Sequence, residues 1–260
     1  MEDVGAFEAR NAEARRAWDL ERRLAHVVRS AAPVVLDVGA HEGQSNRLFR
    51  RLFPAATVWS FEPDPDTFAR LAAGVDPDLP GGCERLALAD RDGTATFHRN
   101  PISHTSSLLA RSAASRDSID LARARAAGAP TAPTSERIEV PVRRLDGWCA
   151  ERGVTAIDLL KIDVQGAEVA VLAGASGVLP ATATVAVEIS FFDLYERSSS
   201  FREVEALLHP HGLALYALAE VSDNPMNGRT DWVTRSTPGP TSGTSRRRPR
   251  GRRPADSGAG

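Results

Sequence analysis

The sequence contains little cysteine, almost no lysine and no long apolar run. Two cysteines, Cys83 and Cys149, among 260 residues are too few for a disulfide framework, so we expect the protein in a reducing compartment, the cytoplasm. No stretch of about 18 apolar residues occurs, which predicts that the chain does not cross a membrane. The N terminus has no basic segment that leads into an apolar one, so no signal peptide is expected. With 42% hydrophobic and 25% charged residues, the composition excludes a collagen-like or wholly disordered chain.

Charge is distributed unevenly along the chain. The formal net charge is -2, but residues 236–260 hold six arginines and one aspartate, a net charge of +5, which leaves the body at -7. A basic segment on an acidic body is compatible with a nucleic-acid-binding arm. Because Lys161 is the only lysine and alanine is abundant, codon bias in a GC-rich genome also explains the arginines. The acidic body and the lack of an aromatic and basic face favour a tail without such a role.

Apolar runs alternate with amphipathic segments along most of the chain. The sequence predicts a helix over 7–29, a strand over 34–38, a helix from about 45 to Pro54, a strand over 57–61 and a helix from Pro65. Strands that are apolar on both faces and alternate with helices are typical of a doubly wound α/β fold with a mostly parallel sheet. Further strands are predicted over 83–89, 94–99, 138–142, 156–163, 184–189, 213–219 and 232–234, and further helices over 145–151, 167–173 and 201–208. We expect 94–99 to pair across the turn at Asp92-Gly93, and 232–234 to lie at a sheet edge.

These elements predict one α/β domain over 31–235, preceded by a helical N-terminal extension over 1–30. Residues 111–137 are rich in Ala, Arg, Ser and Pro without clean periodicity, which predicts a mobile insertion, and loops of this length are often lids. Residues 236–260 are rich in Pro, Gly, Ser and Thr, which predicts a disordered tail.

The turn after the first strand has the features of a ligand-binding loop. It carries Asp37, Gly39 and Gly43 in the pattern D-x-G-x-x-x-G. A dinucleotide fingerprint needs a glycine where His41 stands, which disfavours a nicotinamide cofactor. Glu62 follows Gly39 by 23 residues, near the offset at which an acid binds ribose hydroxyls. Together these residues fit S-adenosylmethionine, and a nicotinamide-dependent sugar enzyme remains the alternative.

A second group of charged residues follows the strand over 156–163. Lys161 and Asp163 are two apart, so they lie on the same face of an extended strand. Buried charges are costly unless they are paired or bind a ligand. Either they form an ion pair that serves only the fold, or they belong to a site at the carboxyl edge of the sheet. Glu188, late in the next strand, is expected at the same edge.

Several short motifs occur in an order that resembles the FkbM-type methyltransferases. They are Asp37-Val38-Gly39-Ala40, Phe61-Glu62-Pro63, Ala87-Leu88-Ala89-Asp90 with Asp92-Gly93, Ser106-Ser107-Leu108, Lys161-Ile162-Asp163-Val164-Gln165-Gly166-Ala167-Glu168 and Val187-Glu188-Ile189. The resemblance runs from about residue 30 to 235. It departs from the family at His41, where Asn is common, and at Gln165, where Glu is common.

The resemblance implies a class I methyltransferase fold and S-adenosylmethionine-dependent O-methylation of a small-molecule, sugar or polyketide hydroxyl. Asp37 and Gly39 are expected at the amino-acid end of the cofactor, Glu62 at the ribose and Asp90 near the adenine. The full set of expected cofactor contacts is Asp37, Gly39, Ala40, His41, Gly43, Glu62, Pro63 and Asp90. An RNA methyltransferase that uses the arginine-rich tail is the alternative, and the oligomeric state stays open.

Methyl transfer to a hydroxyl benefits from a positioned base. Asp163 is the first candidate for that base, with Lys161 tuning it and Glu188 second. Two carboxylates at one edge are also compatible with Mg²⁺. His104 is a further candidate for a base delivered by the lid, and Phe192 and Tyr195 are candidates for the acceptor pocket.

Overall fold

The computed structural model of the chain describes residues 18–112, 135–191, 194–223 and 230–238. The helices in these residues are α1 (Leu20–Val27), α2 (Gln44–Leu52), α3 (Pro65–Gly74), α4 (Leu145–Arg152), α5 (Glu168–Ala173) and α6 (Phe201–Leu208). The strands are β1 (Val34–Val38), β2 (Thr57–Phe61), β3 (Gly81–Glu84), β4 (Ala87–Leu88), β5 (Gly93–Arg99), β6 (Glu136–Arg143), β7 (Leu159–Ile162), β8 (Thr184–Ser190), β9 (Ala217–Asp223) and β10 (Thr230–Pro238). In the described part of the chain, no helix has both the length and the apolar character needed to cross a bilayer.

Seven strands form the main sheet in the order β3-β2-β1-β7-β8-β10-β9. Neighbours from β3 to β8 are parallel, whereas β10 is antiparallel to both β8 and β9. The strand order reverses between β1 and β7, because β2 and β3 follow on one side of that pair and β8 to β10 on the other. This confirms the predicted fold, a doubly wound sheet of the class I methyltransferase type. Open α/β sheets bind ligands at such a switch point, outside the carboxyl ends of the strands.

The strands bury side chains on both faces of the sheet. Val35 of β1 and Leu159 of β7 pack with Leu24 of α1 and Phe49 of α2. The next residue along β1, Leu36, points to the other face, because successive side chains of a strand alternate. It belongs to a second core built with α4, α5 and α6. Helices therefore cover both faces, as predicted, and they fix the carboxyl edge of β1 and β7 in place.

A second sheet, in the order β4-β6-β5, was not predicted from the sequence. Its own small core contains Ala87, Phe97 and Val140. An ion pair connects it to the main domain, since Arg99 Nε lies 2.6 Å from a carboxylate oxygen of Asp64. Asp64 is the N-cap of α3, directly after β2. The second sheet is thereby held against the carboxyl edge of the main sheet.

Two predictions for the region between residues 83 and 99 are wrong. The predicted strand over 83–89 is two strands in different sheets, β3 with β2 and β4 with β6. The ladder between β2 and β3 ends at Phe61 and Glu84, with a last hydrogen bond from the Glu62 N–H to the Glu84 carbonyl oxygen. The segment 94–99 does not form a hairpin with the preceding strand. It pairs antiparallel with β6.

The C-terminal strands also differ from the prediction. The strand predicted over 213–219 begins and ends four residues later, as β9, and β9 is the edge strand. The predicted edge residues 232–234 belong to β10, which is inserted between β8 and β9. The predicted tail over 236–260 includes the end of this strand, since Ser236 and Thr237 are buried within β10 and pair with Ala186 and Val185.

The predicted N-terminal extension contributes to the core where it is described. Leu24 and Val28 are buried, so α1 belongs to the body of the domain. The rest of the predicted helix, over 7–17, lies outside the described residues, as does the tail beyond Pro238. Most of the predicted lid also lies outside them, and its last residues, Glu136 and Arg137, begin β6.

Candidate active site

A cleft of about 960 Å³, counting its open mouth, lies at the carboxyl ends of β1, β2 and β7. The loop between β1 and α2, the residues after β2 and β7, and parts of the segments 86–88 and 103–108 line it. The predicted site residues that line it are Gly39, Ala40, His41, Glu62, Pro63, Lys161 and Asp163. Both sheets therefore contribute to one site, at the switch point.

The backbone directly after β7 approaches position 39 so closely that only glycine fits there. Its φ is +77°, a conformation that glycine adopts without strain. A Cβ atom at this position would lie 1.8 Å from the carbonyl oxygen of Asp163. The backbone N–H groups of Gly39 and Ala40 both donate to the carbonyl oxygen of Phe61, at 3.1 and 2.9 Å. The loop is thus held between β7 and β2, and only a residue without a side chain fits there.

Glu62 connects the β1–α2 loop to the start of α3. One carboxylate oxygen accepts the backbone N–H of His41 at 3.0 Å, and the other accepts the N–H of Asp64 at 2.9 Å. Burial raises the pKa of Glu62 to about 7, although these hydrogen bonds oppose the shift. A carboxylate offers about four acceptor positions, so two remain for hydroxyl groups in the cleft.

His41 forms part of a polar cluster at the mouth of the cleft. Its φ is +49°, in the left-handed region. Nε2 lies 2.8 Å from Ser103 Oγ, and the Gln44 amide nitrogen lies 3.4 Å from Nδ1. Burial lowers the pKa of His41, which favours the neutral ring. The His104 ring lies edge-on, 6.4 Å away between ring centres.

Lys161 is surrounded by acceptors at the floor of the cleft. Its Nζ lies 3.3 Å from Asp37, 3.5 Å from Asp163 and 3.2 Å from the carbonyl oxygen of Gly39. Burial alone would lower the pKa of Lys161, but Asp37, Asp163 and Glu188 raise it above its ordinary value. The ammonium therefore stays charged. The predicted pairing of Lys161 with Asp163 is present, and Asp37, fully buried below the cleft, joins it.

Gln165 connects Asp163 to Glu188. Its amide nitrogen donates to Asp163 at 3.0 Å and to Glu188 at 3.2 Å. Its amide oxygen lies 3.0 Å from the Tyr195 hydroxyl, which also reaches the carbonyl oxygen of Thr105 at 2.7 Å. Burial raises the pKa of Glu188 to about 8, and the charge on Asp163 adds to that effect. Glu188 does not line the cleft itself but lies behind Gln165.

Asp90 is not at the cleft. Its carboxylate is half-exposed and pairs with Arg91 at 3.2 Å. It does not line the cleft, because the chain has already left the main sheet through β4. The wall of the cleft that contains β4 carries apolar side chains, those of Leu86, Leu88, Phe97 and Leu108. Gly43 also stays outside the lining, as the N-cap of α2 with a φ of +84°.

The donor set suits S-adenosylmethionine better than a metal. Glu62 can accept ribose hydroxyls, the apolar wall can pack on an adenine ring, and Gln44 and Ser45 bring the unpaired N–H groups of the first turn of α2 to a carboxylate. Within the described residues, no group of three His, Cys, Asp or Glu side chains is placed to hold a metal ion. Between Asp37 and Asp163, the position of a cation is taken by Lys161 Nζ.

A sequence profile of the methyltransferase FkbM domain matches residues 37–214. The chain belongs to the FkbM methyltransferase family. The 2-O-methyltransferase NoeI of Sinorhizobium fredii is 33% identical over 197 residues, which cover 73% of this chain and 76% of NoeI. The 31-O-demethyl-FK506 methyltransferase FkbM of Streptomyces tacrolimicus is 34% identical over 197 residues, covering 71% and 74%.

Solved structures include an FkbM methyltransferase from Methylobacillus flagellatus KT, 13% identical with a TM-score of 0.48. That match covers 79% of this chain and 44% of the other, so this FkbM-family chain spans less than half of that relative's length.

Sequence reasoning missed the residues that connect the charged groups of this FkbM-family site. In the sequence, Gln165 stands out only as a departure from the family, and no motif distinguishes Ser103. Alternation along a strand places Lys161 and Asp163, but it does not extend to Gln165, which lies in a turn with a φ of +56°. Of the other candidates, His104 lines the cleft, Tyr195 is buried beside Gln165, and Phe192 lies outside the described residues.

Proposed function

We propose that this FkbM-family methyltransferase transfers a methyl group from S-adenosylmethionine to a hydroxyl oxygen of a small molecule, a sugar or a polyketide-type natural product. The observation that carries the proposal is that one cleft joins an acid suited to ribose, Glu62, with a lysine and carboxylate pair, Lys161 and Asp163. The names of two relatives support it, since one is a 2-O-methyltransferase and the other methylates 31-O-demethyl-FK506.

The cofactor end of the cleft is assigned as follows. Glu62 accepts the ribose hydroxyls, while the first turn of α2 and the loop at Gly39 hold the amino-acid end. Leu86, Leu88 and Phe97 pack against the adenine. Bound S-adenosylmethionine supplies a methyl group on a positively charged sulfur. Asp37 acts indirectly, by holding Lys161 below the loop.

The acceptor hydroxyl lies beside Asp163 in this proposal. Because an alcohol is a poor nucleophile, Asp163 accepts its proton as the oxygen attacks, an effect typically worth 10²–10⁴-fold in rate. Lys161, at 3.5 Å, pairs with Asp163 and orients its carboxylate. Substitution at a methyl carbon requires the oxygen and the sulfur on opposite sides, so orientation by the cleft contributes roughly 7–11 kcal/mol in favourable cases.

Two further assignments complete the proposal. Methyl transfer in this proposal needs no Mg²⁺ ion at Asp163, because Lys161 supplies the positive charge there. We place the enzyme in the cytoplasm, and the support for this is that both cysteines, Cys83 and Cys149, are free thiols.

The first experiment is calorimetric titration of the full-length protein with S-adenosylmethionine, with NADH as the control ligand. We expect saturable binding of S-adenosylmethionine alone, and binding of NADH alone would overturn the proposal. Methyl transfer is then measured from S-adenosylmethionine labelled in the methyl group, with 31-O-demethyl-FK506, a panel of hexose glycosides and a structured RNA as acceptors.

The variant Asp163→Asn tests the site, and Asp90→Asn, outside the cleft, is its matched control. We expect the label in a hydroxylated small molecule. We expect the transfer rate to fall strongly in Asp163→Asn and to stay unchanged in Asp90→Asn. Label in RNA alone, with a steep dependence on salt, would favour the alternative function.

A further inference from the structure

The side-chain amide of Gln165 occupies a position between two acids. The amide nitrogen of Gln165 donates to Asp163 and Glu188, and its amide oxygen accepts the Tyr195 hydroxyl. The distances agree, at 3.0 and 3.2 Å to the two acids and 3.0 Å to Tyr195. A single NH₂ group thus uses both of its hydrogens on the carboxylates of two different strand ends. Glutamine is the only uncharged residue long enough to do this with an acceptor left for Tyr195.

The backbone holds Gln165 in a conformation that it would not adopt by itself. Its φ of +56° lies in the left-handed region, which is uncommon for residues other than glycine. The Ser107 hydroxyl donates to the carbonyl oxygen of Gln165 at 2.8 Å, and Ser199 donates to the carbonyl oxygen of Gly166 through both its N–H and its hydroxyl. Strained residues held in this way cluster at functional sites.

The charges around the amide explain why its neutrality matters. Asp163 at the end of β7 and Glu188 of β8 accept its hydrogens, and the Tyr195 hydroxyl faces its oxygen. Lys161 lies 3.5 Å from Asp163, and Glu168 of α5 interacts electrostatically with both acids. Lys161 is the one ammonium within this group of described residues, and it is shared with Asp37. The Glu that is common at this position in the family would add a negative charge beside the same lysine, whereas the amide of Gln165 adds none. Burial already raises the pKa of Glu188 to about 8 and that of Glu168 to about 7.

We propose that Gln165 is a positioning residue of the methyl-transfer site, whose amide holds the carboxyl groups of Asp163 and Glu188 apart and orients Asp163 to accept the proton of the acceptor hydroxyl. The inference rests on the proposed function. It adds to that function a residue that acts through Asp163, and it explains how two carboxylates share one lysine at the edge of the sheet.

The decisive variant is Gln165→Glu, which keeps the shape and replaces the donor by a carboxylate. We expect the acid limb of the pH profile of kcat to move to higher pH by about one unit, because a like charge and a lost hydrogen bond both favour protonation. At pH values below that limb, kcat falls about tenfold. The Kd for S-adenosylmethionine, measured by calorimetry, stays within about twofold. Activity is measured on whichever acceptor of the panel the wild type methylates.

Two further variants separate this role from a general effect on folding. Gln165→Asn keeps an amide and tolerates the left-handed backbone, but it is too short to span the two acids. We expect a lower kcat and a smaller shift of the acid limb. Ala73→Glu adds the same charge on an exposed position of α3 and is expected to leave the profile unchanged.

The composition of the chain offers a readout that needs no acceptor. Lys161 is the only lysine, and Gln44 and Gln165 are the only glutamines. Protein labelled with ¹³C-lysine and ¹⁵N-glutamine therefore gives one lysine Cε signal and two side-chain amide signals, and the Gln165→Asn spectrum identifies which amide is Gln165. We expect both the Gln165 amide and the Lys161 signal to shift as the neighbouring acids titrate. In Gln165→Glu, the inflection of the Lys161 signal moves to higher pH.

The outcomes distinguish this inference from the proposed function. If the wild type transfers no methyl group to any acceptor, the proposed function fails, and the role of Gln165 in it falls as well. If the wild type is active, but Gln165→Glu keeps both the pH profile and the titration of the Lys161 signal, the inference is overturned and the proposed function stands. A loss of S-adenosylmethionine binding in both Gln165 variants would also overturn it, since Gln165 would then serve the cofactor.

Discussion

Replacing Gly39 with alanine is expected to destabilise the protein far more than a glycine-to-alanine change usually does. Two costs combine at this position. Alanine at a φ of +77° costs about 1–2 kcal/mol, because the Cβ atom crowds the following carbonyl group. The same Cβ would lie 1.8 Å from the Asp163 carbonyl oxygen, which is backbone and has no alternative rotamer. Forcing the two segments apart adds about 1–3 kcal/mol.

A matched control isolates the second cost. Gly153, at the end of α4, has a φ of +67° and no atom within 4 Å of a built Cβ. Gly153→Ala is therefore expected to show only the backbone cost, about 1–2 kcal/mol. The difference between the two variants measures the clash of β1 with β7. Against a total stability of about 5–15 kcal/mol, Gly39→Ala stays folded under mild conditions.

Urea unfolding of both variants gives the free energies, and calorimetry gives the Kd for S-adenosylmethionine. We expect Gly39→Ala to lose about 2–5 kcal/mol of stability and to bind the cofactor at least about tenfold more weakly, because the loop that carries His41 moves with it. The reasoning is refuted if Gly39→Ala is no less stable than Gly153→Ala and binds the cofactor normally.

Three other results are expected. Asp163→Asn lowers kcat by about 10²–10⁴-fold with little change in the Kd for S-adenosylmethionine, as single-turnover transfer on the identified acceptor will show. Burial raises the pKa values of Glu62 and Glu168 to about 7 and that of Glu188 to about 8, so the folded protein keeps protons that the unfolded chain releases. The free energy of unfolding without ligand therefore falls as pH rises from about 5 to about 8, by up to about 1.4 kcal/mol per pH unit for each group. Urea concentrations at the unfolding midpoint that do not change across that range would contradict this. A truncated chain that ends after residue 238 is expected to keep the melting temperature of the full chain. A chain that ends before residue 236 loses the buried end of β10 and is expected to melt about 5–10 °C lower.

The central sheet was predictable because its strands are apolar on both faces and bounded by glycine or proline. β1 and β2 begin and end within the predicted runs. The pattern failed where a strand changes partners. Residues 83–89 read as one strand, but the pairing with β2 ends at Glu84 and the chain then pairs with β6 through β4. Pairing of this kind depends on which strands lie alongside, which local periodicity does not record.

The positions of the site residues were predictable from the same strand pattern as the sheet, and the prediction failed where that pattern stops. Alternation placed Lys161 beside Asp163, and the carboxyl-end rule brought both to the loop at Gly39. Asp90 does not line the cleft, because the strand from which its position was inferred does not continue. Gln165 was not found, because a left-handed turn sets the direction of its side chain, and no period of the sequence signals such a turn.

The distribution of strain and buried charge identifies the cleft independently of any relative. His41 and Gln165, two of the four described non-glycine residues with positive φ, both line it. Two acids with raised pKa values, Glu62 and Glu188, lie on or directly behind its walls. Each of these features lowers stability, so a fold under selection for stability alone would remove them. These features occur together at the switch point of the sheet, as is expected of a site that binds a cofactor and accepts a proton. A purely structural ion pair between Lys161 and Asp163 would need neither the left-handed turn nor the second acid.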